Sequence, residues 1–476
     1  MKTPSFRLRF GLTALIAVSA LLPRLTAAPT ALVTEQYTRS GGFPRFPDFG
    51  FMLPPGAGTG DYSGRVFLLS QDFPDKEPPV DEPVKKILAI DFKQDWRAYL
   101  LAVRKYAFEG NTGHPGGYGN DFFLEENKVR RWYHVPWQHY GPTGREGYHG
   151  LTQEGPIASQ MLAPSQTQTS HAYAVGFYND LGGYTIGRVW ANADRPDLGF
   201  MSKGHGFPVG TVVAKLLFTT LNETQVPYLK NPVTWPAYVY ASDADANVPA
   251  TDTTRITAPV QLIQMDIMVR DPRADSTGGW VFGNFMYNGA LNAQSRWDNL
   301  APVGIMWGND PTVTVNLSNP TPTETKINPL LKETIINPNK NELPPAHLGW
   351  GYRLNGPVDN SLSSCMSCHS TAEYPVVTAI LPFLNTPPVN PPAKQGEPAS
   401  AEWMRWFRNV KCATPFDPGQ AVSLDYSLQL AKSIQNFVDY KNATVLGQYA
   451  MEYWETGHRV QRGSSVKPSL AASPGK

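Results

Sequence analysis

Proline is the residue that most restricts how this chain can fold. It occupies 44 of the 476 positions, nearly twice the average share of about 5%. A proline inside a helix or a central strand removes a backbone hydrogen bond, so it is confined to turns and element ends. With 41 glycines beside it, the composition predicts many short elements joined by turns. The chain has only three cysteines, which excludes a scaffold dense in disulfides.

Charge and hydropathy exclude two further classes of protein. The chain carries 41 basic and 40 acidic residues, a net charge of +1. Nucleic-acid-binding domains normally carry a basic excess, so we expect no nucleic-acid partner. A charged fraction of 17% and a mean hydropathy of -0.32 are typical of neither a disordered chain nor a membrane transporter. At roughly 100–200 residues per domain, the length predicts two to three domains.

Residues 1–27 have the three parts of a secretory signal peptide. Lys2, Arg7 and Arg9 form a basic head, residues 10–22 are mostly apolar, and Ala27 lies in a small-residue exit. Such a leader is removed on export. The alternative is a membrane anchor, which needs roughly 20 apolar residues. We therefore expect a periplasmic or secreted bacterial protein with no transmembrane segment in the mature chain.

Alternating apolar residues predict a β-rich domain over residues 28–345. The pattern is clearest at 211–221, 260–270 and 280–287, and 184–190 looks similar. Lys215, Gln264 and Asp266 lie opposite the apolar positions. This alternation, bounded by Gly and Pro, is typical of antiparallel strands with a buried face. Many short strands of this kind favour a sandwich or a barrel.

Helical patterns occur once within this domain and again near the C-terminal end. Asp91 or Asp95 can cap a helix that Gly110 ends, and Ser400 can cap a helix over 401–410. A last apolar stripe includes Leu430 and Phe437. The predicted fold class is α+β: a sandwich-like antiparallel domain, then a small all-α domain over 346–460. We expect a disordered tail over 461–476.

One motif carries recognisable chemistry. Cys365, Cys368 and His369 form C-x-x-C-H, the spacing of covalent haem attachment. Two thiols about one helical turn apart can each form a thioether with one haem vinyl group, and the adjacent imidazole can bind the iron. The sequence therefore predicts one covalent haem c.

Three alternatives compete for the same residues. A zinc site normally needs four ligands, and only Cys412 remains, 43 residues after His369. A thioredoxin-like site would follow a strand, which residues 361–364 do not resemble. A disulfide between Cys365 and Cys368 would close a small ring.

The stretch from Ala346 to His458 resembles a monohaem cytochrome c domain through the Cys365–His369 motif and the downstream helical stripe. Residues 351–360, 404–409, 132–139 and 184–187 are similar to large bacterial exported proteins that contain this domain and have no assigned reaction. The resemblance implies electron transfer through the haem. Its partner would be a redox protein or a small-molecule electron donor or acceptor.

The same resemblance implies a second iron ligand downstream of His369. Met404, 35 residues later, is the best positional match, because cytochromes c use a methionine there. His347, Met451 and His458 are alternatives, and an open iron is another. A closed iron would transfer electrons, whereas an open iron would suit a peroxidase- or oxygenase-like oxidoreductase acting on a small molecule. A third reading is a cell-surface binding protein whose haem is incidental.

Two weaker features complete the prediction. Cys412 is expected to be a buried inert thiol, or an exposed one that pairs between chains. His134, His139 and His149 lie within one span of 16 residues that is rich in aromatic side chains. Their spacing matches no helical metal-ligand pair, so a packed aromatic turn is favoured over a pocket or a metal site.

Overall fold

The computed structural model describes residues 70–113, 122–124, 127–138, 151–245, 248–249, 254–314, 325–345, 348–380 and 400–442. The predicted signal peptide and C-terminal tail lie outside these ranges. Within them, no helix combines the length and the apolar character needed to cross a bilayer.

Eight antiparallel strands form one continuous sheet through the described part of the chain. Its order is β1-β2-β3-β5-β6-β7-β8, and β4 pairs with the first half of β5. The strands are β1 (Thr152–Ile157), β2 (Ser170–Tyr178), β3 (Val212–Thr219), β4 (Thr234–Tyr240), β5 (Arg255–Arg270), β6 (Trp280–Tyr287), β7 (Leu300–Met306) and β8 (Thr334–Ile336). A separate ribbon pairs β9 (Glu373–Tyr374) with β10 (Val422–Ser423).

Three of the four predicted strands are confirmed, as β3, β5 and β6. The fourth, 184–190, is wrong, because these residues belong to a helix over Asp180–Val189 apart from the C-cap Trp190. Asn179 caps that helix, since its side-chain oxygen accepts a hydrogen bond from Gly182 N at 3.2 Å. The cap supplies a partner that the helix start otherwise lacks, and it outweighs the alternation of the side chains.

The structure describes eight helices, and all but two have ten residues or fewer, as the proline content predicts. They are α1 (Glu82–Ala89), α2 (Trp96–Phe108), α3 (Asp180–Val189), α4 (Leu198–Ser202), α5 (Ala241–Ala244), α6 (Cys365–His369), α7 (Ala401–Met404) and α8 (Leu428–Asn442). Single 3-10 turns occur at Pro272–Ala274, Gly289–Leu291, Arg296–Asn299 and Trp350–Tyr352.

The predicted helix ends are confirmed at three places and wrong at one. Asp95 caps α2, accepting from Ala98 N at 3.1 Å, and Gly110 follows with a positive φ of 79°. Ser400 caps α7, but this helix ends at Met404 rather than at Val410. Residues 405–407 continue instead as single turns, such as Phe407 N to Met404 O.

Helix α2 covers one face of the sheet. A Cβ added at Gly283 on β6 would lie 2.1 Å from Leu100 Cδ2, so the helix approaches the strand as closely as glycine permits. Arg104 of the same helix lies over the ring of Phe285, the next residue on that face. Leu100 is fully buried there.

The segment after residue 348 covers the opposite face. Phe282 is next to Gly283 on β6, so its side chain points to the other side. Its ring lies 5.1 Å from that of His369, and Tyr178 on β2 shares a hydrogen bond of 2.8 Å with Ser427. Both faces of the sheet are therefore buried, one under α2 and one under the C-terminal segment.

The predicted fold class is wrong for the described residues. The main strands form a single sheet rather than two facing sheets. No small all-α domain is present in residues 348–380 and 400–442, which combine short helices with the β9–β10 ribbon. Their apolar side chains Leu354, Met366, Tyr426 and Ile434 belong to the same hydrophobic core as the sheet. The physical reason is that the second sheet face needed a cover, and this segment supplies it.

Candidate functional site

The C-x-x-C-H residues form one turn of helix, α6, which its own serines hold in place. Ser364 Oγ accepts from Ser367 N at 3.0 Å, and Ser367 Oγ accepts from Ser364 N at 2.7 Å. This reciprocal capping box satisfies two backbone donors at the helix start. Ser364 Oγ also donates to Asn309 Oδ1 at 2.9 Å. The helix is therefore fixed to the loop after β7.

A buried arginine fixes the chain just before this helix. Arg353 is fully buried, and its guanidinium donates to the backbone oxygens of Asn309, Asp310 and Val313 at 2.6–2.8 Å. Burial lowers the pKa of Arg353 to about 10, which still leaves it charged at neutral pH. These bonds set where the two thiols lie relative to the sheet.

Both thiols of α6 are free and partly buried. Burial raises the pKa of Cys368 to about 12. Burial also raises the pKa of Cys365, and the charges of Asp266 and Asp359 add to that effect. Reactive thiols of the thioredoxin type instead have a depressed pKa. The environment is therefore unlike that of a thioredoxin-type site.

His369 has one ring nitrogen engaged by the fold. Its Nδ1 lies 2.8 Å from the Tyr426 carbonyl oxygen, which can only accept, so Nδ1 carries the proton. No described residue makes a hydrogen bond to Nε2. Burial lowers the pKa of His369 to about 4, so the imidazole is neutral at pH 7. A neutral imidazole with a fixed tautomer and an available Nε2 is the form that binds a metal.

The sheet beneath α6 carries a polar row that crosses three strands. Lys215 on β3 pairs with Asp266 on β5, and Asp266 pairs with Asn284 on β6. The row ends in glycine on both sides, at Gly176 and Gly304. Asn284 donates to the Asp266 carboxylate. We call these three residues the polar row.

A second carboxylate reaches the polar row from the loop before α6. Gln264 Nε2 donates to Asp266 Oδ1 at 2.8 Å and to Asp359 Oδ2 at 2.9 Å, so one amide nitrogen serves both carboxyl groups. Burial and the charge of Asp359 raise the pKa of Asp266 to about 7. The Lys215 ammonium lies 3.2 Å from Glu154.

Met404 and His369 contact different hydrophobic clusters. Met404 packs against a second hydrophobic cluster, formed by Trp350, Trp403, Trp406, Phe407, Val410 and Phe416. His369 instead contacts Phe282 and Tyr426, which belong to the main core. The other proposed ligands, His347, Met451 and His458, lie outside the described residues.

The remaining predicted residues lie elsewhere. Cys412 is partly buried, and its Sγ accepts from Arg270 Nη2 at 3.2 Å. Burial raises its pKa, as expected of an inert thiol. His134 is buried in the main core region, whereas His139 and His149 lie outside the described residues.

Sequence reasoning missed the polar row and Asp359. The alternation at 260–270 marks Asp266 as opposite to the buried face, and nothing local shows that it meets Lys215 and Asn284. Those neighbours depend on the register of three strands, which the sequence does not display. Comparison with known proteins adds nothing here, because no protein-family model, curated protein or solved structure matches the chain.

Proposed function

We propose that this protein is an exported monohaem c-type cytochrome that transfers one electron at a time to or from a redox partner. In this proposal Cys365 and Cys368 form thioethers with one haem c, and His369 Nε2 is an iron ligand. The export part rests on the signal-peptide pattern of residues 1–27, and the haem part rests on the motif and its surroundings. When bound, a haem supplies a one-electron iron couple.

The observation that carries the proposal is the contact between His369 Nδ1 and the Tyr426 carbonyl at 2.8 Å. Metal-binding histidines almost always donate their other ring nitrogen to a carbonyl, a carboxylate or water, which fixes the ring and raises ligand basicity. Nδ1 of His369 is held by the fold, and Nε2 makes no hydrogen bond with the described residues. Nε2 is therefore able to form a ligand bond.

The fold supports the proposal in a second way. The capping box and Arg353 hold α6 before any haem is considered. The positions of Cys365 and Cys368 are thus fixed by groups other than themselves. A preorganised attachment site of this kind loses little conformational entropy when its ligand is held.

Haem staining after denaturing electrophoresis tests the attachment. The protein is produced with its leader in a bacterial host that attaches haem to exported chains. Wild type is expected to stain, and the double variant Cys365→Ala with Cys368→Ala is expected to lose the stain. Cys412→Ala is the matched control and should stain like wild type. An unstained wild-type band, or a stained double variant, contradicts the proposal.

A reductive titration then tests the transfer of single electrons. Wild type should take up one electron per chain, with one change in its visible spectrum. His369→Ala should keep the covalent stain but change the spectrum of the ferric protein, because the iron loses its nitrogen ligand. An unchanged spectrum in His369→Ala would remove that residue from the iron.

A haem-dependent oxidoreductase is the second candidate, and the polar row favours it. Lys215 and Asp266 are partly exposed, and Asp266 lies close enough to Cys365 to raise the pKa of that thiol. Such groups could bind a small molecule beside an open iron. Rapid binding of carbon monoxide to the ferrous protein would favour this candidate over the closed electron carrier.

The same spectra test Met404. A sulfur-to-iron charge-transfer band in the far red, lost in Met404→Ala, would support Met404 as the second ligand. A band that persists in the variant would exclude it.

A further inference from the structure

We propose that Asp266 and Asp359 form a proton-binding site that takes up one proton when the haem gains an electron. This inference rests on the proposed function, because it concerns residues of this chain that lie beside the proposed attachment site. It adds proton uptake to electron transfer and assigns that role to a pair of carboxyl groups.

One amide group holds the two carboxyl groups together. A single amide nitrogen, Gln264 Nε2, donates to both carboxyl groups at 2.8–3.0 Å. Gln264 is itself fully buried, and its Oε1 accepts from Val358 N at 3.1 Å. Two carboxylates held around one donor repel each other, so one of them binds a proton more tightly than an isolated carboxyl group does.

A buried acceptor lies beside the pair. Asn284 donates through Nδ2 to Asp266, and its Oδ1 is buried without a hydrogen bond among the described residues. A buried amide oxygen without a donor is costly. A protonated carboxyl group brings an O–H donor into this cluster, whereas an ionised pair brings none.

A short loop connects the pair to the residues around α6. Asp359 ends the short loop that begins at Asn355, and Cys365 Sγ lies 3.9 Å from Asn355 Oδ1. Asp359 Oδ2 also accepts from Gly356 N at 2.9 Å, which fixes the carboxylate on this loop. One loop thus joins the carboxyl pair to the thiol that would carry the haem.

Several described ionisable side chains face the pair from the neighbouring elements. They are Lys215 on β3, Glu154 on β1, and Cys365, Cys368 and His369 on α6. In the haem-loaded protein the two thiols would be thioethers and the imidazole an iron ligand, so none of these three would bind the proton. Lys215 and Glu154 pair with each other at 3.2 Å. A proton bound by the carboxyl pair would offset the charge of the added electron.

The step balances in charge and atoms. A one-electron reductant, either a partner protein or a small molecule, delivers the electron. Solvent supplies the proton, because Asp266 and Asp359 are both partly exposed. One carboxylate becomes a carboxylic acid, and the net charge of the site does not change.

The pH dependence of the reduction potential tests this proposal in the haem-loaded protein. Wild type should become harder to reduce as the pH rises through neutrality, by up to tenfold in the equilibrium constant per pH unit. That factor is 59 mV for a one-electron couple. Asp266→Asn and Asp359→Asn should each flatten the dependence. Asp298→Asn is the matched control, because this carboxylate is 55% exposed and pairs with Arg104, and it should behave like wild type.

An infrared difference spectrum between reduced and oxidised protein gives a second readout. Wild type should gain a band from one protonated carboxyl group on reduction, and Asp266→Asn should lose that band. The wild-type measurement stands even where a variant fails to fold.

Each result then points to one conclusion. A flat potential in haem-loaded wild type, or a slope that persists in both carboxyl variants, overturns the proton-binding site alone. Absence of haem stain in wild type overturns the proposed function together with this inference.

Discussion

The two faces of the central sheet are built from neighbouring rows of the same strands, yet their chemistry is opposite. The row under α2 is apolar apart from one glycine: Phe177, Ala214, Ile267, Gly283 and Ile305. The next row, under the C-terminal segment, contains the polar residues: Gly176, Lys215, Asp266, Asn284 and Gly304. The two rows differ by one residue position along each strand, yet the first is apolar and the second carries charged side chains.

The difference shows what each covering layer requires. Helix α2 presents apolar side chains such as Leu100, so a charge opposite it would be buried without a partner and would cost several kcal/mol. The C-terminal segment instead presents Asp359, which shares the Gln264 amide with Asp266. Polar groups are tolerated on this face because they meet polar partners. The face under α2 contributes apolar packing to the stability of the fold. The face under the C-terminal segment holds the polar groups that lie beside α6.

The largest expected effect is on the apolar face. Leu100→Ala should lower the free energy of unfolding by about 2–5 kcal/mol, because a fully buried leucine leaves a cavity. Leu330→Ala, at a residue that is 59% exposed, is the control and should change it little. Urea denaturation of both variants measures the difference. Equal losses of unfolding free energy in the two variants would show that the packing of Leu100 does not stabilise the fold.

The next effect concerns the pH dependence of stability on the polar face. The pKa of Asp266 is raised to about 7 by burial and by Asp359, whereas an aspartate in an unfolded chain titrates near 3.9. The folded protein therefore binds this proton more tightly. The resulting stabilisation is complete below about pH 4 and is lost as the pH rises through 7.

Relative to Asp266→Asn, wild type should thus lose up to about 4 kcal/mol of unfolding free energy between pH 4 and pH 8, since the pKa differs by about three units and each unit is worth about 1.4 kcal/mol. Denaturation midpoints across this pH range measure it. Asp298→Asn should follow wild type, and parallel curves for all three proteins would contradict the raised pKa.

A smaller effect tests how the C-terminal segment is held on the sheet. Asp425 is buried and accepts from Phe207 N at 2.7 Å, Ala413 N at 3.0 Å and Trp280 Nε1 at 3.3 Å. Asp425→Ala leaves these donors unsatisfied and should cost about 1–3 kcal/mol. Asp439→Ala, at an exposed residue of α8, is the comparison. Similar midpoints for the two variants would mean that packing alone holds the segment.

The smallest effect is expected at the edge of the polar row. Glu154 pairs with Lys215 at 3.2 Å, and both side chains are about a third exposed. Partly exposed ion pairs contribute about 0–1 kcal/mol, so Glu154→Gln should change the unfolding free energy by less than about 1 kcal/mol. A larger loss would show that this ion pair supports the whole row.

Local signals in the sequence predicted the elements well where one local cause dominated. Asp95 and Gly110 bound α2 because a carboxylate satisfies free backbone donors and glycine adopts a positive φ. Alternation predicted β3, β5 and β6. It failed at 184–190, where the cap of Asn179 favours a helix. The failure shows that alternation over a few residues does not exclude a helix.

The sequence by itself determined the chemistry available at α6, because the spacing of Cys365, Cys368 and His369 is a property of consecutive residues. Only the tertiary structure decided what surrounds them. The Tyr426 carbonyl comes from 57 positions away, and Asp266 comes from a strand about 100 residues earlier. Strand register and the choice of which segment covers which sheet face depend on contacts between distant residues. For that reason the residues that were predicted to form an all-α domain instead cover the polar face of the sheet.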